Sequence, residues 1–345
     1  MQKSLRSCGP HPNVHDDAEL DAAELSNRRA KRLDLREESP MPRTRAHDQH
    51  TSEAMQTIAV IIPTLNEERS IGKVIDDVPV ADLLENGLKP FVYVIDGQST
   101  DNTREIAVEK GATIILEERQ GKGSAIQTAF KSITADYAIM VDGDDTYPIE
   151  MATEITCLLK KYDVVIGSRL KGTIEPGAMT KLNVAGNVLL SLLARLLFNV
   201  QISDVCSGLW GYRGRVIRSL ELSAAGFAIE VDMLAECARN GFHIAEIPIT
   251  YRARGENPAK LSSVKDGLRI GTFLIKKFLS QKKAREKYGI HSRDFNVAPF
   301  EAEVEWLDRL KELIVDVLMQ PVMLGGVALY VFALWLCERN SQAVP

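Results

Sequence analysis

The stretch "IMVDGDDTYP", Ile139–Pro148, places three carboxylates within four positions directly after an apolar run. Like charges this close repel one another, so either a divalent cation or a well-hydrated turn must neutralise them. The pair Asp142 and Asp144 offers oxygen ligands of the kind that Mg²⁺ and Mn²⁺ prefer. A pair of this spacing more often belongs to a turn or a helix cap, so the surrounding sequence has to discriminate between the two interpretations.

Short apolar runs alternate with helical patterns on both sides of this stretch. The strand-like runs are TIAVIIP (57–63), FVYVID (91–96), ATIIL (112–116), YAIMVD (137–142), DVVIGS (163–168) and FHIAEIPITY (242–251). This alternation predicts an α/β fold with a mostly parallel sheet between helices. Ligands of such sheets bind beyond the carboxyl ends of the strands. Because three runs end in polar residues, at 63–67, 96–99 and 142–145, the acidic stretch belongs to a predicted site.

Two further segments have the pattern of helices. Residues 181–201 are apolar with few charges, which fits either a core helix or a helix in a membrane interface. Residues 262–280 predict a second helix that ends in a basic run. The members of that run are Lys276, Lys277, Lys282, Lys283, Arg285 and Lys287. The run suits the anionic headgroups of a cytoplasmic membrane leaflet, or equally a solvated helix face.

The totals limit the class of protein. The chain of 345 residues is 45% hydrophobic and 26% charged, as in ordinary folded proteins. Its net charge of −5 argues against a nucleic-acid partner. The five cysteines are scattered without a CxxC spacing, which favours a reducing, cytoplasmic setting.

The two ends of the chain differ in composition from its centre. Residues 1–55 are charged and poor in large apolar side chains, so we expect a disordered extension there. Residues 56–287 form the predicted α/β domain, and residues 288–314 a linker with an amphipathic helix. Residues 315–338 predict a transmembrane helix, because Val317–Cys337 contains 21 residues without a charge. A buried helix is the alternative for that last segment.

Several charged residues stand where a ligand would bind. Asp96 ends the second strand, where an acid accepts hydrogen bonds from a base or a ribose. Lys122 lies between two glycines at a helix start and is placed to face an anion. Asp204 and Glu230 stand in apolar surroundings, either as caps or as functional groups. The cations in loop-like sequence that suit phosphate groups are Arg169, Arg252, Arg254 and Lys260.

Eight motifs follow one another in a recognisable order. They are IIPTLNEE, VIDGQSTDNT, GKGSA, VDGDDTYP, IGSRL, SDVCSGLWGY, FAIEVDML and EIPITYRARGENPAKLSS. In this order they resemble the inverting family 2 glycosyltransferases with a GT-A fold, and within them the dolichyl-phosphate hexose synthases. The resemblance spans residues 57–278. It implies a GT-A nucleotide-sugar-binding fold with a mostly parallel sheet, to which the predicted C-terminal membrane helix is added.

The resemblance also implies roles for individual residues. The positions implied at the nucleotide and the donor are Pro63, Asn66, Glu67, Asp96, Gln98, Lys122, Asp142 and Arg169. The implied catalytic set is Asp144, Asp204, Glu230, Arg252 and Lys260. The implied ligands of Mg²⁺ or Mn²⁺ are Asp142 and Asp144. Where many relatives have a glutamine close after the metal-binding acid, this chain has Asp145 and Thr146.

The implied reaction moves a hexose from a nucleotide-sugar, of the GDP-mannose or UDP-glucose type, to dolichyl or another polyprenyl phosphate. A phosphate monoester has a second pKa of about 6, so the acceptor is already a nucleophile at pH 7. We then expect Arg252 and Lys260 to align it, and Asp204 and Glu230 to orient sugar hydroxyls or cationic neighbours.

Transfer to a hydroxyl of a lipid-linked or protein-linked glycan is the alternative reaction. A neutral hydroxyl would require Asp204 or Glu230 as a general base. In either case we expect a membrane enzyme with its catalytic domain on the cytoplasmic face.

Overall fold

The computed structural model describes residues 55–255 and 263–288. Residues 1–54 of the predicted extension, Lys260, the predicted linker from residue 289 onward and the predicted transmembrane helix at 315–338 lie outside the described residues. What the sequence predicts for those segments remains a prediction.

A seven-stranded sheet with helices on both faces forms the described domain. The strands are β1 (Gln56–Thr64), β2 (Leu88–Asp96), β3 (Thr113–Leu116), β4 (Tyr137–Met140), β5 (Val164–Ile174), β6 (Trp210–Arg213) and β7 (Ile244–Tyr251). The helices are α1 (Ile71–Asp76), α2 (Val80–Glu85), α3 (Thr103–Glu109), α4 (Lys122–Ser132), α5 (Ala152–Leu159), α6 (Lys181–Phe198), α7 (Gly214–Ile217), α8 (Ile229–Arg239) and α9 (Ser263–Tyr288).

The strand order across the sheet is β3-β2-β1-β4-β6-β5-β7. Strand β1 runs parallel to β2 and β4, β2 runs parallel to β3, and β5 runs parallel to β7. Strand β6 is antiparallel to both of its neighbours, β4 and β5. The mostly parallel sheet expected from the sequence is confirmed. Strand β6 is not predicted from the sequence, because WGYR contains a glycine and an arginine and lacks the continuous apolar run of β3 and β4.

The core lies on both faces of the sheet. Residues 58–62 of β1 are fully buried, and successive side chains enter opposite layers. Ile61 packs in the layer that contains α4, α6, α8 and α9, whereas Ile62 packs with α1, α2, α3 and α5. This burial on both faces explains the continuous apolar run in the sequence. Because β1, β2 and β4 are parallel, the polar residues that follow them meet at one edge.

Helix α6 lies on the surface of the domain with two different faces. Thr180 caps it by accepting a hydrogen bond from the Asn183 amide at 3.2 Å. Phe198 is buried on the inner face, against α8 and α9, whereas Leu196 on the outer face is 74% exposed. Among the described residues, α6 is the one helix long and apolar enough to cross a membrane by length and composition, with a mean hydropathy of 1.4.

Neighbouring lysines of the basic run at the end of α9 differ in their surroundings: Lys276 is exposed, whereas Lys277 is not. Lys277 turns inward, and its Nζ lies 2.7 Å from Asp232 Oδ1 and 2.8 Å from Glu236 Oε1, both on α8. The backbone amides of Ser223 and Ala224 donate to the other oxygen of Asp232, at 2.6 and 2.8 Å. The expectation that Lys277 faces headgroups or solvent is therefore wrong, because it neutralises two buried carboxylates.

Replacing Lys277 tests whether this ion pair holds α9 in place. The variant Lys277→Met leaves Asp232 and Glu236 buried without their counter-charge, and removal of one partner of a buried ion pair costs about 3–5 kcal/mol. We expect a matching fall in the free energy of unfolding, measured by urea titration in detergent. The control Lys276→Met removes an exposed charge and should change this free energy by less than about 0.5 kcal/mol. Equal urea midpoints for the two variants would contradict the assignment.

Candidate active site

The carboxyl edge of β1, β2 and β4 opens into a cavity of about 540 Å³. Its wall contains several of the residues identified from the sequence, namely Pro63, Glu67, Lys122, Asp142, Asp144, Arg169 and Glu230. A groove of about 640 Å³ at the amino-terminal ends of β2 and β3 contains none of them. The convergence of these residues makes the 540 Å³ cavity the candidate active site.

Lys122 connects two acids of this cavity. Its Nζ lies 2.6 Å from Asp142 Oδ1 and 2.6 Å from Glu230 Oε1. Burial alone would lower the pKa of Lys122, but the charges of Asp142 and Glu230 outweigh it and raise the pKa. The sequence predicts that Lys122 faces an anion. In the structure Lys122 neutralises two carboxylates, Asp142 and Glu230.

The glycines on either side of Lys122 allow the chain to close over it. Gly121 has a φ of +102°, and a Cβ there would lie 2.4 Å from the carbonyl oxygen of Ala225. A Cβ at Gly123 would lie 2.0 Å from the carbonyl oxygen of Ala224. This close approach brings the loop before α8, and with it Glu230, against the start of α4.

Asp142 sits in a tight and enclosed position. Its side chain keeps 25% of its surface exposed to the cavity, but the protein surrounds that cavity. This desolvation raises the pKa of Asp142 to about 6, although the Lys122 ammonium opposes the shift. Gly208 makes room for the carboxylate, since a Cβ there would lie 2.3 Å from Asp142 Oδ2 and 2.8 Å from a ring carbon of Tyr147. Gly208 lies in the motif SDVCSGLWGY, and nothing in that motif distinguishes this glycine as a contact of Asp142.

Asp144 is held on both of its oxygens. Oδ1 accepts a 2.6 Å hydrogen bond from the Thr146 hydroxyl and a 3.2 Å bond from the Thr146 amide. Oδ2 receives an ion pair from Nη2 of Arg254. Arg254 also lines the cavity, so this arginine joins the residues that the resemblance assigned to the site.

Arg252, which the resemblance assigned to the catalytic set, points elsewhere. Its guanidinium contacts Glu150 and lies 3.3 Å from Asp145 Oδ1, and it is not part of the cavity wall. Both arginines follow β7 within three positions in loop-like sequence. Nothing in that pattern distinguishes them, so only the fold shows which one reaches Asp144.

One carboxylate and two aromatic rings hold the Arg169 side chain in position. Its Nε and Nη2 donate to the two oxygens of Asp204, at 2.8 and 2.7 Å. The rings of Tyr147 and Tyr251 lie 5.8 and 5.2 Å from the guanidinium carbon, and Asn187 donates to Asp204 at 2.6 Å. Asp204 is fully buried behind Arg169 and is not part of the cavity wall. It orients a cationic neighbour, which is one of the two roles expected for it.

Asp96 ends β2 as a fully buried carboxylate. Its Oδ2 accepts hydrogen bonds from the amides of Gln98 and Ser99, at 3.1 and 3.0 Å. Its Oδ1 is buried and has no hydrogen-bond partner among residues 55–255 and 263–288. Asp96 itself is not part of the wall of the 540 Å³ cavity, whereas its neighbour Gly97 is.

Gln98 and Asn66, which the resemblance assigns to the nucleotide, form hydrogen bonds between loops. The Gln98 side chain donates to the carbonyl oxygen of Glu118 at 2.6 Å. The side-chain oxygen of Asn66 accepts from the Thr100 amide at 2.8 Å. Gln98 and Asn66 thus tie together the loops that follow β1, β2 and β3, and neither residue is part of the cavity wall.

Comparisons with known proteins agree with this geometry. The model of a family described as Glycosyl transferase family 2 matches residues 59–220. Glycosyltransferase AglJ of Haloferax volcanii is 35% identical over 213 residues, which are 61% of this chain and 68% of that protein. The dolichyl-phosphate hexose transferase of the same organism is 34% identical over 233 residues, which are 67% of this chain and 98% of that protein.

A solved structure shares the architecture. Glucosyl-3-phosphoglycerate synthase from Mycobacterium tuberculosis, in complex with Mn²⁺, uridine-diphosphate and glucosyl-3-phosphoglycerate, is 25% identical with a TM-score of 0.50. The match covers 67% of this chain and 81% of that one. The chain therefore belongs to glycosyl transferase family 2 and is a glycosyltransferase with a GT-A fold.

Gly208→Ala tests the packing around Asp142. The added methyl group would push the carboxylate and the Tyr147 ring away from their positions, and a misplacement of about 1 Å in an active site costs roughly 100-fold in rate. We expect glycosyl transfer to fall by about this factor. The free energy of unfolding should fall by only about 1–3 kcal/mol, so the protein stays folded in the assay. The control Gly186→Ala adds a methyl group at the rim of the same cavity, where nothing lies within 4 Å, and should keep its rate. Wild-type activity of Gly208→Ala would show that the contact is not needed.

Proposed function

We propose that the enzyme transfers one hexose from a nucleotide-sugar to a polyprenyl phosphate such as dolichyl phosphate. The arrangement of charge carries this proposal: Lys122, Arg169 and Arg254 line one cavity, and each is paired with at least one carboxylate. Both substrates bring phosphate groups, which bind to cations of this kind. The relative named dolichyl-phosphate hexose transferase supports the same class of acceptor.

A divalent cation, Mg²⁺ or Mn²⁺, is part of the proposal. Asp142 and Asp144 face the same cavity and offer the hard oxygen ligands that these ions prefer. The described residues contain no group of three or more His, Cys, Asp or Glu side chains that could hold a metal, so water and the donor diphosphate would complete the shell. When bound, such an ion neutralises the charge that develops on the leaving diphosphate. The structural neighbour solved with Mn²⁺ supports this assignment.

The acceptor phosphate acts as its own nucleophile in this proposal. Its oxygen attacks the anomeric carbon from the face opposite the nucleoside diphosphate, the bond to the diphosphate breaks, and the configuration inverts. A phosphate dianion at neutral pH needs no proton removed, since its second pKa is about 6. Glu230 is engaged by Lys122 and Asp204 by Arg169, as expected of acids that hold cations.

In this proposal Arg169 positions the acceptor phosphate. Arg169 is fixed by Asp204 and two tyrosine rings, so its guanidinium reaches the cavity in one orientation. A fixed guanidinium loses little further entropy when it binds a phosphate. Lys260, which lies outside the described residues, remains a predicted contact of the acceptor. Arg252 would contact the acceptor only after leaving Glu150 and Asp145.

In this proposal the lipid chain leaves the cavity between α6 and α9. Leu182 and Leu190 of α6 and Ile270 of α9 line this end of the cavity. The outer faces of the two helices carry exposed apolar side chains, namely Leu189, Leu192, Leu196, Val264 and Leu268. Apolar helix faces of this kind suit a membrane interface. We propose that this surface meets the membrane, with the cytoplasmic face as the predicted side.

Product analysis tests the reaction directly. The full chain in detergent would be incubated with Mg²⁺, dolichyl phosphate and one nucleotide-sugar at a time, and lipid-linked hexose would be identified by mass. We expect product from one donor only, and at least about a 100-fold loss in Asp144→Ala, because one group that stabilises developing charge is worth that much. Release of nucleoside diphosphate with a glycan acceptor, without any lipid product, would overturn the phosphate acceptor in favour of a hydroxyl.

Acidic pH should weaken metal binding through Asp142. With a pKa of about 6, its carboxylate is ionised above this pH and protonated below it, and only the ionised form binds a metal. We expect the Kd for Mn²⁺, measured by electron paramagnetic resonance, to rise about tenfold per pH unit below pH 6. A Kd that stays constant between pH 7 and pH 5 would contradict a role for Asp142 as a ligand.

A further inference from the structure

Arg254 and a divalent cation require the same carboxylate. The guanidinium contacts Oδ2 of Asp144, whose other oxygen already accepts two hydrogen bonds from Thr146. The carboxylate is nearly buried, with 7% of its side chain exposed. A guanidinium and a metal ion on one buried carboxylate would repel each other strongly, because little water screens them. Metal binding to Asp144 therefore has to move Arg254.

Of the two cations at the paired acids, Arg254 is the one placed to move. Lys122 is enclosed between Asp142 and Glu230, with 14% of its side chain exposed. Arg254 lies in the irregular segment that follows β7, and 24% of its side chain is exposed. Asp144 itself is fixed by Thr146. Displacement of the guanidinium thus leaves both carboxylates in place.

The balance of charge indicates where the displaced guanidinium goes. The charged side chains of the cavity wall are four carboxylates, Glu67, Asp142, Asp144 and Glu230, and three cations, Lys122, Arg169 and Arg254. A dication alone would leave a net positive charge in a partly buried cavity. A dication that arrives with the diphosphate of a nucleotide-sugar, whose two negative charges match it, restores the original balance. The diphosphate oxygens also offer Arg254 the bidentate partner that guanidinium groups prefer.

We propose that Arg254 is an internal counter-ion that couples the binding of metal to the binding of the donor diphosphate. It weakens the binding of the metal alone by occupying Asp144. Once released by the metal, it holds the diphosphate. This inference rests on the proposed function, because it assumes that Asp144 is a ligand of Mg²⁺ or Mn²⁺.

The test compares the binding of Mn²⁺ to three variants of the full chain in detergent. Free Mn²⁺ would be measured by electron paramagnetic resonance, without nucleotide and with saturating UDP or GDP. In Arg254→Gln we expect the Kd for Mn²⁺ alone to fall about tenfold, and the tightening of Mn²⁺ binding by nucleotide to shrink by a similar factor, as linkage requires. Arg254→Lys keeps the positive charge and should return both quantities toward the wild-type values.

Lys73→Gln is the matched control. It removes a cation whose Nζ lies 2.6 Å from Asp145 Oδ1, next to Asp144 in the chain but outside the cavity wall. We expect it to change the Kd for Mn²⁺ by less than about twofold, as for an exposed charge. A Kd for Mn²⁺ alone that is unchanged or higher in Arg254→Gln would overturn the inference and leave the proposed function standing. Failure of the wild type to bind Mn²⁺ even with nucleotide would overturn the metal assignment itself, and the inference with it.

Discussion

The neutralisation of Asp142 and Asp144 is the constraint on which the rest of the site depends. The parallel sheet places these acids at its carboxyl edge, and burial there is unfavourable unless a positive charge is close. Lys122 from the start of α4 and Arg254 from the segment after β7 supply that charge. The two flanking glycines of Lys122 and the missing side chain at Gly208 are the local conditions that let these segments approach.

Two other acids of the site, Asp204 and Glu230, also pair with cations, and each has a different role. Asp204 is buried behind Arg169 and fixes its orientation, whereas Glu230 shares Lys122 with Asp142. Each of these acids forms an ion pair with a cation. An enzyme whose acceptor is already an anion can use its carboxylates in this way, since the chemistry requires charge placement more than proton removal.

Much of the fold was predictable because its signals are local. Continuous apolar runs of parallel strands, each followed by polar residues, predict the sheet and the edge where Asp142 and Lys122 meet. Strand β6 was not predictable in this way, because its four residues gain their strand geometry from β4 and β5. The inward turn of Lys277 depends likewise on acids of another helix.

Individual roles within the site were harder to predict than its location. Arg252 and Arg254 have the same local sequence context, and only the path of the chain after β7 sends one to Asp144 and the other to Asp145 and Glu150. The sequence is compatible with Asp204 contacting either a sugar or a cation. Only its short distances to Arg169 show that it contacts a cation. Tertiary contacts of this kind leave no periodic pattern in a single sequence.

We propose that the acceptor phosphate is the nucleophile and that the carboxylates hold cations. The most direct measurement is the rate of lipid product formation by Glu230→Gln at saturating Mn²⁺, donor and dolichyl phosphate. We expect a rate within about tenfold of wild type, because Lys122 keeps Asp142 as a partner. Loss of a general base typically costs about 10²–10⁴-fold. A loss of that size, with unchanged donor binding, would show that Glu230 is a general base and that the acceptor is a hydroxyl.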